Sequence, residues 1–133
     1  MYSTRRSTPS PAADDAGSAV VDFVLVGALL VLLAVGLFQL TLTLHVRNIM
    51  LSSASEGAHF GALGDVTPAD GAVRASELAA AALGGMDVAA SGQTDPAGHV
   101  VEVTLTAPVP VLGIWGAGTM TVTAHAIEED GDG

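Results

Sequence analysis

One carboxylate stands inside an otherwise uncharged apolar stretch near the start of the chain. The stretch GSAVVDFVLVGALLVLLAVGLFQLTLTL covers residues 17–44, and its single charged residue is Asp22. A charge in a membrane-length apolar segment is costly, so an ionisable residue there is a candidate for ion pairing with a functional purpose. The simpler alternative is an interfacial carboxylate that reaches water. Asp22 is therefore the first residue whose chemistry needs an explanation.

The other residues that could catalyse a reaction or bind a metal form no recognisable constellation. The histidines lack the i, i+4 spacing of metal ligands on one helix; they are His45, His59, His99 and His125. His99 and His125 could approach across neighbouring strands, but two ligands do not make a metal site. No serine lies in G-x-S-x-G, and a phosphate loop of the G-x-x-x-x-G-K type is impossible without lysine. We therefore predict no enzymatic activity, no metal and no cofactor.

Composition narrows the class of protein further. The chain has 133 residues and a net charge of -10, with four arginines, no lysine and no cysteine. Such a chain has no basic surface for nucleic acid, so we expect no nucleic-acid partner. The absence of cysteine excludes a disulfide scaffold and a cysteine zinc site, and leaves the compartment open.

The apolar stretch is long enough to cross a membrane. Residues 23–44 would form a helix of roughly 33 Å, against a hydrocarbon thickness of about 30 Å. Arg5 and Arg6 precede the run and Arg47 follows it, which slightly favours a cytoplasmic N-terminus. A removed secretory signal is disfavoured because the run is too long and no A-x-A site follows. We predict a single-pass protein of the cell membrane with an extracytoplasmic C-terminal part.

Two motifs resemble a known family. The first is Gly17-Ser-Ala-Val-Val-Asp-Phe23, where a polar leader ends in glycine and an acid stands fifth after it. The second is Arg47-Asn48 followed by Ser-Glu-Gly-Ala-His at residues 55–59, which includes Glu56 and Gly57. Together they resemble the TadE-like and TadG-like proteins of tight-adherence (Flp) type IV pilus systems. Those proteins typically carry glutamate at the fifth position, where this chain has aspartate.

The resemblance implies processing and assembly. A prepilin peptidase would cleave the leader after Gly17, so that Ser18 becomes the first residue of the mature chain. Asp22 and Phe23 would then take part in aligning the subunit with its neighbours. The partners implied are membrane lipid, the peptidase, other pilin or pseudopilin subunits and the assembly platform. The protein would lie in the membrane, in or at the base of a surface pilus.

Elementary electrostatics gives a reason for the acid. Cleavage would leave an α-amine on Ser18 that is largely protonated at neutral pH. Ser18 and Asp22 are four residues apart, so they share a face of a helix. The carboxylate can neutralise this amine or that of a neighbouring subunit, and in apolar surroundings such a pair resists separation.

The remaining chain predicts an α+β, pilin-like architecture. A hydrophilic, disordered leader over 1–17 precedes one long helix over 18–62. A small helix-plus-antiparallel-sheet domain follows over 63–127, and then an acidic flexible tail over 128–133. Inside the domain we predict a helix from the Thr67–Asp70 capping box to Leu83. Its Ala-rich face, with Val73, Leu78 and Leu83, is expected to pack on a small sheet. Alternating or β-branched patterns predict strands at 86–91, 99–106 and 119–127, with an apolar, Trp-bearing loop before the last strand.

Two functions from different classes fit these observations. The first is a minor pilin-like structural subunit or assembly component of a tight-adherence pilus or related secretion apparatus. The alternative is an unprocessed single-pass accessory protein whose outer domain binds a cell-envelope partner. Cleavage after Gly17 separates the two.

Overall fold

The computed structural model describes residues 11–109 and 118–128. The architecture is a long helix, a short helix and a three-stranded antiparallel sheet, so the α+β prediction is confirmed. The elements are α1 (Pro11–Gly61), α2 (Pro68–Ala82), β1 (Ala89–Thr94), β2 (Val100–Pro108) and β3 (Thr119–Ile127). The arginines at 5 and 6, most of the Trp-bearing loop and the tail beyond Glu128 lie outside the described residues. The chain divides into two units, Met1–Phe38 and Gln39–Gly133.

Helix α1 begins earlier than the sequence analysis predicted. Residues 11–16 were expected in a disordered leader, whereas they form the first turns of α1. Pro11 suits the first position of a helix because its missing N–H is not needed there. Asp14 lies in the first turn, where a negative charge is favoured by the helix dipole. Local helix signals therefore outweigh the lack of apolar periodicity.

The apolar part of α1 is uncovered by anything else in the described chain. The helix is long and apolar enough to cross a membrane. None of its most apolar 18-residue stretch is buried. Large side chains such as Leu29 and Phe38 are more than half exposed. A soluble core helix would instead be mostly buried. The exposed apolar surface indicates a single-pass membrane protein.

Helix α2 begins and ends where its sequence predicts. The Thr67 hydroxyl accepts a hydrogen bond from the Asp70 backbone N–H (3.2 Å), and the Thr67 N–H donates to the Asp70 carboxylate (3.2 Å). This reciprocal capping box satisfies two N–H groups that the helix start would otherwise leave unpaired. At the other end, Gly84 has φ 73° and the Gly85 N–H bonds the Ala80 carbonyl (2.7 Å). That is a Schellman ending, which glycine adopts without strain.

The Ala-rich face of α2 packs inward and Leu83 packs partly buried against the core, but two of the three larger side chains predicted on that face do not. Val73 and Leu78 are 55% and 37% exposed, although both were expected to pack on the sheet. The buried residues are smaller: Gly71, Ala72, Ala75 and Ala79. Small residues face inward because α2 lies too close to its neighbours for larger side chains. The prediction for Val73 and Leu78 was therefore wrong.

The sheet has the order β1-β2-β3 with antiparallel pairing throughout. Central strand β2 alternates strictly, burying Val101, Val103, Leu105 and Ala107. β3 contributes Val122, Ala124 and Ala126 to the same face, and α1 contributes Val46, Met50, Ala54 and Ala58 to the same core. The opposite face carries threonines and charged side chains. One face thus makes the core of the outer domain and the other faces solvent.

Strand β1 lies three residues later than predicted. The expected strand 86–91 is replaced by Ala89–Thr94, which pairs with Thr106 back to Val101. The sequence AASGQT has little intrinsic strand preference, so pairing with β2 decides its position. Gly92 is required there, because a Cβ at this position would collide with the backbone carbonyl of Pro68. Tertiary contacts, which no local pattern shows, set this register.

Candidate functional site

The predicted processing site lies within helix α1. Gly17 is exposed, and a Cβ added to it would meet no atom within 4 Å. The helix runs without interruption through Gly17 and Ser18. Their peptide bond is accordingly part of a helical turn in the intact chain. The site is open to approach from solvent, but its backbone is not extended.

Asp22 lies one helical turn beyond Ser18. Residues four apart on an α-helix are neighbours on the same face. Asp22 is exposed, and in the described part of the chain no side chain forms an ion pair with it. In the intact chain the Ser18 nitrogen is an uncharged amide. The carboxylate therefore stands beside the place where an amine would appear after cleavage.

Phe23 follows directly and is 79% exposed. It belongs to a series of uncovered apolar side chains that runs from Val20 to Leu44. An aromatic side chain of this size gains stability only by leaving water, whether among lipid chains or among other helices. Phe23 is thus part of the apolar surface that lipid chains or other helices must cover.

The second motif is divided between the surface and the core. Arg47 and Asn48 are exposed on α1. Glu56 lies 4.0 Å from Arg74 of α2, whose guanidinium also stands 5.3 Å above the ring centre of Phe60. Both charged side chains are about half exposed, so the pair contributes little to stability. Through these two contacts, Arg74 nevertheless connects α2 to the part of α1 that carries the second motif.

Gly57 has a structural role that its spacing alone did not assign. A Cβ on Gly57 would collide with the Gly71 carbonyl oxygen, and one on Gly71 would lie 2.9 Å from Gly61 Cα. The two helices therefore touch backbone to backbone. The pattern Gly57-x-x-x-Gly61 facing Gly71-x-x-x-Ala75 is a small-residue crossing, a signal the sequence analysis missed on α2. Only glycine permits this approach.

A polar row crosses the open face of the sheet. The Gln93 amide donates to one Glu102 oxygen (2.9 Å), and His125 Nε2 lies 3.0 Å from the other. His125 therefore faces Glu102 and not His99, whose approach to it the sequence had left open. No group of three potential metal ligands occurs among the described residues. The row is a cross-strand hydrogen-bond network of the kind that sheets use for register.

A turn-forming aspartate fixes the start of β2. The Asp95 carboxylate accepts hydrogen bonds from the backbone N–H groups of His99 (2.8 Å) and Val100 (3.0 Å). The Val100 N–H and then the His99 N–H lower the pKa of Asp95 below its usual value. Gly98, with φ 76°, allows the chain to reverse between β1 and β2. This end of the domain is accordingly well ordered by local hydrogen bonds.

The fold and these sites define a class: a single-pass membrane protein with a long apolar N-terminal helix and a small α+β C-terminal domain. Residues 17–59 match the family model described as TadE-like protein, which confirms the predicted resemblance over that segment. The match includes the candidate processing site, the apolar run and the motif ending at His59. It covers about a third of the chain and leaves most of the outer domain unmatched. No curated protein and no solved structure matches the chain.

The family match supports a coarse functional statement. TadE-like proteins are a structural, non-enzymatic family, and residues 17–59 are similar to them. The match ends at residue 59, within α1, so it includes neither α2 nor the three strands of the sheet.

Proposed function

We propose that this chain is a minor pilin-like structural subunit or assembly component of a tight-adherence (Flp) pilus or related secretion apparatus. A prepilin peptidase would cleave it between Gly17 and Ser18. The observation that carries the proposal is the start of the TadE-like match, which falls on Gly17. The match then continues through the acid and the apolar run. Gly17, the acid and the apolar helix all lie within one matched segment, which supports the proposed leader boundary.

The proposed role of Asp22 is to neutralise an N-terminal amine. After cleavage the Ser18 amine is largely protonated at neutral pH, and the carboxylate stands one turn away. An acid close to the N-terminus of the mature helix is also favoured by the helix dipole. In a bundle of helices the amine of a neighbouring subunit can take the same place. Because an unpaired charge in apolar surroundings is costly, such pairing opposes a slip of one subunit along another.

Cleavage requires local unwinding of α1, because the peptide bond after Gly17 is helical in the intact chain. Glycine in a helix interior costs about 1 kcal/mol relative to alanine. Gly17 therefore makes the helix weaker at the proposed cut. A glycine at this position therefore makes it easier for the helix to unwind where the peptidase would cut.

The alternative is an unprocessed accessory protein with the same topology. The observation in its favour is that α1 runs unbroken from Pro11 through Gly17. A plain membrane anchor needs no more than that. Its outer domain would then bind a partner of the cell envelope while the leader remains attached.

The first test compares Gly17→Leu with Gly27→Leu, expressed together with a prepilin peptidase and the pilus components. Neither glycine has a neighbour within 4 Å of an added Cβ, so both variants should keep the helix. We expect the wild type and Gly27→Leu to lose the 17-residue leader and Gly17→Leu to retain it. Processing of all three chains alike would contradict the proposed site.

The second test addresses the acid itself. Asp22→Asn keeps the size of the side chain but removes its charge, whereas Asp22→Glu restores the residue typical of the family. We expect Asp22→Asn to be cleaved yet to co-purify with pilus components much less than the wild type. Asp22→Glu, and the matched control Asp14→Asn, should co-purify normally. Normal assembly of Asp22→Asn would refute amine pairing.

A further inference from the structure

The two ends of the domain lie at different levels along the axis of α1. A Cβ on Gly61 would lie 3.3 Å from Val101 Cγ1, so β2 begins beside the end of α1. From Val101 to Ala107 a strand advances about 20 Å, the length of roughly 13 helical residues. Ala107 is therefore level with about residue 48 of α1. Ala82, at the end of α2, shares a groove with Ile49, which gives the same level independently.

That end of the domain lies near the end of the apolar run. Ile49 is five residues beyond Leu44, an axial distance of about 7.5 Å. The polar headgroup layer of a bilayer is about 5–8 Å thick on each side. Leu44, Ile49 and the outer domain all belong to the unit Gln39–Gly133. If the run fills the hydrocarbon, the near end of the domain is at headgroup height.

The near end is apolar. Four partly buried side chains pack against the core there: Leu83, Met86, Val88 and Met120. Val109, which is also partly buried, follows β2 at the same end. We call these five residues the membrane-proximal end. They lie where α2 passes into β1 and where β2 and β3 are joined, with the Val109 N–H bonded to the Gly118 carbonyl (2.8 Å).

The far end is acidic. It comprises the α1–α2 connection, the turn between β1 and β2, and the end of β3. Its carboxylates are Asp65, Asp70, Asp95 and Glu128. At the membrane-proximal end the charged residues of the described chain are Asp87 and, level with it on α1, Arg47. In a chain of net charge -10, this distribution keeps carboxylates away from lipid phosphates.

We propose that the membrane-proximal end docks on the headgroup layer of the bilayer that α1 crosses. The occupant of this surface is lipid, because the surface lies within one headgroup thickness of Leu44 along α1 and is almost free of acid. The contact would restrict how the outer domain pivots about α1. The proposal requires only a single-pass topology, and neither cleavage after Gly17 nor filament assembly.

The test uses the full chain in vesicles of phosphatidylcholine with one third phosphatidylglycerol. Because the chain has no cysteine, single substitutions give unique labelling sites. An environment-sensitive fluorophore is attached at Val88→Cys or Val109→Cys, and at the far-end controls Leu63→Cys or Ile127→Cys. Lipids with a nitroxide in the headgroup region should quench the first two labels at least twofold and the controls hardly at all. Equal quenching at both ends would overturn the proposal.

A second variant separates contact from mere proximity. Val109→Asp places a carboxylate in the docking surface, while Ile127→Asp does the same at the far end. With the label at Val88→Cys, we expect Val109→Asp to halve the quenching and Ile127→Asp to leave it unchanged. If Val109→Asp lowers the melting temperature, the polar but uncharged Val109→Thr replaces it and should reduce quenching in the same direction. Quenching that neither Val109 variant alters would overturn the contact.

A neighbouring copy could instead cover the same end. Dilution with excess lipid at constant protein distinguishes the two partners. Quenching that persists on dilution supports lipid docking. Iodide in the water quenches any label that is exposed to solvent. If the label is protected from iodide only at high protein density, a second copy covers the surface, and the proposal is overturned.

Discussion

Replacing Gly57 by alanine should push α1 and α2 apart where they cross. The added Cβ would collide with the Gly71 carbonyl oxygen and would lie 3.3 Å from Ala75 Cα. Both are backbone atoms of a helix that is held on its other side by the sheet. They cannot rotate away as a flexible side chain would. The helices must therefore separate or shift.

The magnitude follows from two opposing effects. Overpacking of a well-packed contact costs about 1–3 kcal/mol, because displaced atoms lose dispersion contacts on both sides. Alanine recovers about 1 kcal/mol of helix preference over glycine. Because the added Cβ would meet backbone atoms, the upper part of the overpacking range applies, about 2–3 kcal/mol. We therefore expect Gly57→Ala to lower the free energy of unfolding of the domain by about 1–2 kcal/mol after the gain in helix preference. For a domain of this size that is a fall in Tm of about 4–16 °C.

The assay is thermal unfolding in detergent, followed by circular dichroism at a wavelength dominated by the sheet. Gly64→Ala is the matched control, because an added Cβ there meets nothing within 4 Å and its φ is not positive. We expect the control to melt within about 2 °C of the wild type, as surface substitutions usually do. A Gly57→Ala domain as stable as the wild type would refute the close crossing.

Three further outcomes are expected. Met50→Ala, at a fully buried position, should destabilise the domain by about 2–5 kcal/mol in the same melts, whereas exposed Leu51→Ala should cost far less. Gly84→Ala, at φ 73°, should cost about 1–2 kcal/mol by straining the end of α2; an unchanged Tm would contradict that ending. Asp95 has a lowered pKa, so its contribution to stability is full well above its ordinary value of 3.8 and is lost as pH falls below it. Asp95→Asn should therefore flatten the fall of Tm below about pH 5, and an unaltered pH profile would count against the turn.

Local signals predicted part of this fold well. The capping box at Thr67 and Asp70 and the glycine ending of α2 involve residues within a few positions of one another. Strands β2 and β3 alternate because one face packs on helices, so their pattern is visible in the sequence. In each case the interacting groups are close along the chain, or one side of the element is uniformly buried.

Long-range contacts were the part that sequence could not supply. The place of β1 depends on pairing with β2 and on Gly92 lying against α2, neither of which leaves a local pattern. The packing face of α2 depends on how closely α1 approaches, so the larger Val73 and Leu78 were wrongly placed inside. The crossing at Gly57 could have been found from the small residues repeated every four positions on both helices.

The candidate site shows the same division. Gly17 and Ser18 were chosen from the resemblance to the TadE-like motif, and the pairing of Ser18 with Asp22 could be predicted from spacing because it is local to one helical turn. The Glu102–His125 contact joins residues on different strands and became visible only with the register of the sheet. Whether an amine forms at Ser18 depends on a second protein, which neither sequence nor fold contains.

The central claim is that this chain matures by cleavage after Gly17. The most direct measurement is the intact mass of the wild-type chain extracted from membranes that contain a prepilin peptidase. We predict a single mature form that begins at Ser18 with a free α-amine. A chain that still begins at Met1, or one cut elsewhere in α1, would contradict the account and would favour the unprocessed accessory protein.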